Sequence, residues 1–222
     1  GKTPRVTSIA VRNLASGQTE SFSIHKIAEQ RKVNFGSIEK NYDSLEKEML
    51  DEFYGPLGKT KHCTWIHWNM RDINYGFPAI EHRYKVLGGT PIELPEERKF
   101  DLARALIDVF GVKYISHPRL ENLVSLNKMT ARDFLVGKAE ADAFTNKEFV
   151  KLHQSTLRKA DIISNIFERL SDGSLKTNAK WKDIYGLSME SVVGYIKQHW
   201  IISALSIVSV VLGVIAKLQG FF

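Results

Sequence analysis

Aromatic, amide and cationic side chains are concentrated in residues 65–84, WIHWNMRDINYGFPAIEHRY. Aromatic rings stack on nucleobases at about 1–3 kcal/mol per base, and guanidinium groups bind phosphate. This combination indicates a surface that binds single-stranded nucleic acid. The residues that we assign to it from this segment are Trp68, Asn69, Arg71, Asn74, Phe77 and Arg83.

The elements around this segment decide which of its side chains are available. His62 to Trp68 is predicted to be a strand because it is short and rich in aromatic and β-branched residues. Successive residues of a strand face opposite sides, so Trp65 and Trp68, three positions apart, do not share a face. We expect Trp65 in the core and Trp68 nearer the ligand.

The rest of the chain predicts an alternating α/β order. Strands at Thr7–Leu14 and Glu20–Ile24 form a hairpin, and an amphipathic helix from Asp43 to Phe53 is closed by Gly55-Pro56. Further helices are predicted at 75–84, 102–109, 120–126, 130–135, 139–151 and 155–170.

Three short patterns, in this order, resemble the DEDDh-type 3′-5′ exonucleases, the DnaQ-like branch of the ribonuclease H-like fold. The strand leading to Asn69 and Asp72 and the helix after them is similar to the second motif of that family. Residues 100–104, FDLAR, look like the step after its third strand, and residues 137–143, GKAEADA, resemble its third motif. The resemblance implies an α/β fold whose mixed sheet is flanked by helices.

Departures from that family bear on activity. Those enzymes bind two metal ions with four carboxylates, but Arg12 and Asn13 stand where the first strand requires acids. Gly137 replaces the general-base histidine, so only Asp72 and Asp142 remain as possible ligands. We therefore expect no catalytic residue, no metal and no cofactor. The retained groove would add Arg12, Asn13 and Lys138 to the nucleic-acid surface.

An uncharged run from Gln198 to Ala216 would reach roughly 28 Å as a helix, close to the thickness of a bilayer core. It predicts a transmembrane helix at 198–217, after an exonuclease-like domain at 1–170 and a linker at 171–197. More lysines precede the run than follow it, which predicts a single-pass protein with a cytoplasmic domain. The small residues on one face of this helix would form a packing seam or a pore: Ser203, Ser206, Ser209 and Gly213.

Composition adds a weak preference for anionic partners. The net charge is +6 and the pI about 9.3. The single cysteine, Cys63, excludes an intrachain disulfide and is expected to be a small buried residue. The chain has no phosphate-binding P-loop, no GxSxG, no HExxH and no CxxC.

A degenerate exonuclease-like domain followed by one span resembles the membrane effector of Hailong-type anti-phage defence. This resemblance implies a location in the bacterial inner membrane. It also implies a tetrameric channel controlled by short single-stranded DNA or a nucleotide signal that a partner nucleotidyltransferase makes. Two alternatives stay open: an active membrane-tethered exonuclease, and a tail-anchored adaptor that binds another protein.

Overall fold

The computed structural model describes residues 3–60, 62–179 and, for the backbone alone, 206–213. A five-stranded mixed sheet has the order β2-β1-β7-β3-β6. Helices flank it, so the predicted mixed α/β class is confirmed. The strands of this sheet are β1 (Arg5–Asn13), β2 (Thr19–Ser23), β3 (Trp65–His67), β6 (Lys99–Asp101) and β7 (Ser206–Gly213), and a separate small hairpin pairs β4 (Arg71–Asp72) with β5 (Tyr75–Gly76).

Seven α-helices lie within the described part of the chain. They are α1 (Ile24–Gln30), α2 (Tyr42–Thr60), α3 (Phe77–Val86), α4 (Leu102–Phe110), α5 (Arg119–Leu126), α6 (Gly137–Thr145) and α7 (Phe149–Asp172). The longest, α7, packs against both β1 and β7. It therefore forms one wall for anything built beside the sheet.

The predicted N-terminal hairpin is confirmed. β1 and β2 pair antiparallel from Ser8↔Ser23 to Arg12↔Thr19. The turn is held by Asn13, whose Oδ1 accepts hydrogen bonds from the backbone N–H groups of Ala15 (2.9 Å) and Ser16 (3.1 Å). Gly17 completes the turn with a φ of 70°, which glycine adopts without strain.

The predicted transmembrane helix is wrong where the structure describes it. Ser206–Gly213 is β7, antiparallel to β1 over eight paired positions and parallel to β3. The physical reason is composition: Ile207, Val208, Val210 and Val211 are β-branched, and a strand with neighbours on both sides contains the same continuous apolar run as a membrane span. The remainder of 198–217 lies outside the described residues.

Two further predictions change with that segment. Within the part of the chain that the structure describes, no helix combines the length and the apolar character needed to cross a bilayer. A single-pass inner-membrane location is therefore not supported. The small-residue seam was predicted for one face of that helix, and Ser206, Ser209 and Gly213 belong instead to β7. Ser203 lies outside the described residues.

Among residues 3–60 and 62–179, the buried apolar side chains form two clusters. Trp65 belongs to the one that includes α2 and α3, whereas Ile66 belongs to the one formed with α4 and the C-terminal half of α7. Consecutive residues of β3 therefore enter different clusters, as strand geometry requires. Cys63 is 2 % exposed, which agrees with its prediction as a buried residue.

Several helix boundaries differ from the predictions. α2 continues through Pro56 to Thr60, because Leu57 on the added turn is buried in the core. Residues 130–135 form a turn, and the helix predicted at 139–151 is divided by Lys147, whose φ is 60°. The first part of the predicted linker is docked, since Asn127 exchanges hydrogen bonds with the backbone of Lys176 at 2.8 and 2.9 Å.

Candidate nucleic-acid interface

The loop after β3 is organised by one carboxylate. β3 and β6 are parallel, with His67 opposite Asp101 at their carboxyl ends. Asp101 Oδ1 accepts backbone N–H bonds from Asn69 (3.1 Å) and Ala103 (3.0 Å), and Oδ2 pairs with Arg71 Nε at 2.7 Å. Asn69 has a φ of 52°. This edge is where ligands of open α/β sheets bind, and Asp101 fixes the backbone there.

Close backbone packing directs the next residues back toward β3. Gly76 has a φ of 125°, and a Cβ at this position would lie 2.4 Å from the carbonyl carbon of Met70. Only glycine allows this approach. The backbone N–H of Phe77 then donates to the Met70 carbonyl at 3.2 Å. As a result the β4–β5 hairpin folds over, and Tyr75 and Trp68 line the same cleft.

The cleft has a volume of about 200 Å³ and is bounded by the loop after β3, the β4–β5 hairpin and helices α5, α6 and α7. Its lining combines aromatic and aliphatic side chains with charged ones. The residues that line it are Trp68, Met70, Tyr75, Leu120, Glu121, Val136, Gly137, Glu140, Lys159 and Ile163.

Two charged residues that line the cleft form an ion pair. Lys159 Nζ lies 2.7 Å from Glu140 Oε2, and both side chains are largely buried, at 11 % and 23 % exposure. Burial, with a smaller contribution from Glu140, raises the pKa of Tyr75 to about 12. The Tyr75 hydroxyl is therefore neutral at physiological pH. Glu121 adds a second carboxylate to the lining.

This arrangement suits a nucleobase better than a phosphate. With two carboxylates against one lysine, the lining carries a net negative charge and repels anions. Aromatic faces stack on bases, and carboxylates accept hydrogen bonds from the amino groups of bases, as Glu and Asp do from cytosine N4. A volume below the ~300–1,000 Å³ of typical small-molecule pockets fits one ring rather than a whole dinucleotide.

The structure brings part of the predicted surface to this cleft. Trp68 lines it, and Lys138 is exposed on α6 directly after the lining residue Gly137. Asn69 and Arg71 are exposed on the loop that Asp101 holds. Asn74 is exposed at the hairpin tip, where its backbone N–H donates to Asp72 Oδ1 at 2.7 Å.

Arg83 and Phe77 are not surface residues, and their assignment to the nucleic-acid surface requires correction. The Arg83 side chain is 7 % exposed and pairs with Glu46 at 2.6 Å and Asp43 at 2.5 Å. Phe77 is 4 % exposed and packs edge-on against His67. α3 is amphipathic, and both residues lie on its buried side. Sequence did not indicate this because Glu46 is far away in the chain.

Arg12 and Asn13 lie elsewhere on the sheet. Strand β7 pairs with both β1 and β3, and its Ser206 lies opposite Asn13 on one side and opposite Trp65, the first residue of β3, on the other. Asn69 comes after the last residue of β3, at the other end of that strand. The Asn13 side chain is committed to its turn. Arg12 reaches α7, where its Nη1 lies 3.1 Å from Asp161 Oδ1. Neither residue lines the cleft.

The residues present do not fit the two-metal centre of the exonucleases. Asp72 and Asp142 are exposed, and Asp72 accepts the Asn74 N–H. Among residues 3–60 and 62–179, no group of three or more His, Cys, Asp or Glu side chains is placed to bind a metal ion. We therefore derive no metal-dependent step.

Four residues of the candidate site were not among those predicted from sequence: Asp101, Glu121, Glu140 and Lys159. The position of Asp101 could have been recognised in the sequence, because it precedes the helix 102–110 as an N-cap residue does. Lys159 could not have been recognised in this way, because a lysine within a long amphipathic helix is usually solvated. Comparisons with protein-family models, with curated proteins and with solved structures found no match to this chain.

Proposed function

We propose that this chain is a nucleic-acid-binding protein that holds a base of a short single-stranded DNA, or of a nucleotide, in the Trp68–Tyr75 cleft and does not hydrolyse it. The observation that carries the proposal is the cleft itself: two aromatic side chains line a small volume together with the carboxylates of Glu121 and Glu140. In its wider form, the proposal is a ribonuclease H-like, exonuclease-like domain that has lost its catalytic acids.

The direction of specificity follows from the acceptors. Adenine, cytosine and guanine carry an exocyclic amino group that would donate a hydrogen bond to Glu121 or Glu140, while thymine has no such group. We infer a preference for bases with amino groups over thymine. A homo-oligomeric role in anti-phage defence, with a partner nucleotidyltransferase, is proposed on the resemblance alone and without a membrane span.

The test is titration of a fluorescein-labelled deoxycytidine hexanucleotide with the full chain, followed by anisotropy. Trp68→Ala should weaken binding by about 1–3 kcal/mol, which is roughly 5- to 150-fold, through loss of one stacked base. Trp68→Phe keeps an aromatic face and should lose less. Circular dichroism of each variant separates lost binding from lost folding.

Phe35→Ala is the matched control, because Phe35 is an aromatic side chain with 48 % exposure that does not line the cleft. Equal losses in Trp68→Ala and Phe35→Ala would contradict the proposal. Incubating the same hexanucleotide with protein and Mg²⁺ or Mn²⁺ tests the remaining part. Shortening of the oligonucleotide would overturn the assignment of a non-hydrolytic domain and support the active exonuclease.

A further inference from the structure

A second depression lies on another flank of α7, and the aromatic cleft does not include it. Its volume is about 200 Å³. It is bounded by the turn after α5 and by the part of α7 from residue 158 to residue 169. The residues that line it are Lys128, Met129, Thr130, Arg158, Asp161, Ile162, Asn165 and Arg169.

The charge of this depression is opposite to that of the cleft. Lys128, Arg158 and Arg169 contribute three positive charges, and Asp161 contributes one negative charge. Arg12 approaches from β1 and pairs with the same carboxylate at 3.1 Å. Two of these cations, Arg12 and Arg158, pair with Asp161, and among the described residues Lys128 and Arg169 have no acidic partner in the lining. The excess positive charge is the electrostatic condition for binding an anion.

The guanidinium groups are held in place without being saturated. Arg158 Nε donates to the Arg132 carbonyl at 3.0 Å, and Arg158 Nη1 lies 3.3 Å from Asp161 Oδ2. Arg169 Nε donates to Asn165 Oδ1 at 2.9 Å. A guanidinium carries five N–H donors, so these bonds leave donors over for a ligand. Asp161 fixes the orientation of two arginines and neutralises only one.

The opposite wall is equally fixed. Lys128 follows α5 with a φ of 51°, directly after Asn127. Asn127 is buried, and its Nδ2 donates to the carbonyls of Leu123 (3.0 Å) and Lys176 (2.9 Å). The turn that presents Lys128 is therefore tied to the rest of the protein on two sides. A preorganised site loses less free energy on binding than a flexible one.

We propose that this depression binds a phosphoryl group. A guanidinium group matches the oxygens of a phosphate, and Lys128 adds a point charge. The depression and the cleft share α7: Arg158 and Ile162 line one, and the adjacent Lys159 and Ile163 line the other. A ligand with its base in the cleft would extend its phosphate across α7 to the depression on the neighbouring flank, and this second step rests on the proposed function.

The experiment uses isothermal titration of the full chain with three probes: inorganic pyrophosphate, deoxycytidine, and the 5′-phosphorylated deoxycytidine dinucleotide. Arg158→Ala should weaken binding of the two phosphorylated probes about tenfold and leave deoxycytidine binding unchanged. Asp161→Asn should strengthen binding of the phosphorylated probes, because it removes the competing carboxylate. Arg31→Ala is the control: Arg31 pairs with Glu48 and is 63 % exposed, away from both sites.

Salt dependence gives a second readout. For single strands the slope of log K against log salt concentration is about −0.7 per phosphate contact. Arg158→Ala should reduce the slope for the dinucleotide by about that amount, and Arg31→Ala should not. Equal effects of the two substitutions, or weaker binding in Asp161→Asn, would overturn the phosphoryl site.

The failure of this site and the failure of the cleft are distinguishable. If Arg158→Ala weakens pyrophosphate binding while Trp68→Ala leaves deoxycytidine binding intact, the depression stands and the cleft assignment falls. If Trp68→Ala weakens deoxycytidine binding and Arg158→Ala changes nothing, the cleft stands and the depression falls. If pyrophosphate binds but the dinucleotide binds no more tightly than deoxycytidine, the depression is a site for free phosphate. The inference that one ligand occupies both the cleft and the depression is then overturned.

Discussion

Two arginine clusters in this protein have opposite ratios of guanidinium groups to carboxylates. In the interior, Arg83 is one guanidinium between two carboxylates, Glu46 and Asp43. Beside α7, Asp161 is one carboxylate between two guanidiniums, Arg12 and Arg158. The first cluster has no positive charge to spare, and the second has an excess. An arginine becomes available to a ligand when acids are fewer than cations and solvent reaches the site.

Burial separates the two clusters as clearly as charge. Glu46 has no exposed side-chain surface and also accepts the backbone N–H of Val6 at 2.6 Å. Burial raises the pKa of Glu46, and the Arg83 hydrogen bond and charge act against that rise. Arg12 and Arg158 are 29 % and 28 % exposed. The interior cluster is therefore enclosed within the fold, and solvent reaches the α7 cluster.

The largest expected effect is on the interior cluster. Arg83→Ala leaves Glu46 as a buried carboxylate without its cation, and breaking such a pair typically costs about 3–5 kcal/mol. The free energy of unfolding, measured in urea, should fall by that amount. Arg31→Ala removes an exposed pair and should cost less than about 1 kcal/mol. Similar losses in the two variants would show that Arg83 is not buried as described.

The second prediction concerns the dependence of stability on pH, because α7 also carries a buried histidine. The ring of His153 lies 5.0 Å from that of His25, with Lys26 and Glu29 nearby. Burial lowers the pKa of His153 to about 4, and a second buried histidine, His67, is lowered to about 4 for the same reason. Both rings are therefore neutral in the folded protein at neutral pH.

The sign follows from linkage. Between pH 6.5 and pH 4 the unfolded chain binds protons on these histidines that the folded chain does not, so stability falls as pH is lowered through this window. Urea unfolding at pH 7 and pH 5 measures the difference. His153→Asn should reduce it. If the difference in unfolding free energy between pH 7 and pH 5 is unchanged in His153→Asn, His153 does not contribute to the pH dependence.

Sequence predicted the elements whose signals are local. The hairpin followed from alternation around Ala15-Ser16-Gly17-Gln18, and α4 followed from apolar spacing that ends at Gly111. The segment 206–213 failed because an uncharged β-branched run has the same composition in a central strand and in a membrane span. Its partner strand β1 is about two hundred residues away, and no local signal reports that pairing.

The same limit applies to the candidate site. Trp68 was found because aromatic and polar residues are adjacent in sequence there. Arg83 was assigned to the same surface because it belongs to that stretch, and Arg12 because it stands where the first strand of the exonucleases requires acids. What distinguishes them is the set of partners: Glu46 lies 37 residues from Arg83, and Asp161 lies 149 residues from Arg12. Only the fold decides whether acids or cations predominate around each.

The smallest expected effect on stability is at Arg12, and it sharpens the comparison most directly. Arg12→Ala is the same substitution as Arg83→Ala, but it removes a part-buried pair with Asp161 and a 3.2 Å hydrogen bond to Thr19, and exposed pairs contribute about 0–1 kcal/mol. Urea unfolding should register a loss of that size. Pyrophosphate binding should weaken, because Asp161 would then have only Arg158 to neutralise it. A loss of several kcal/mol would instead place Arg12 with Arg83 as a residue of the folded core.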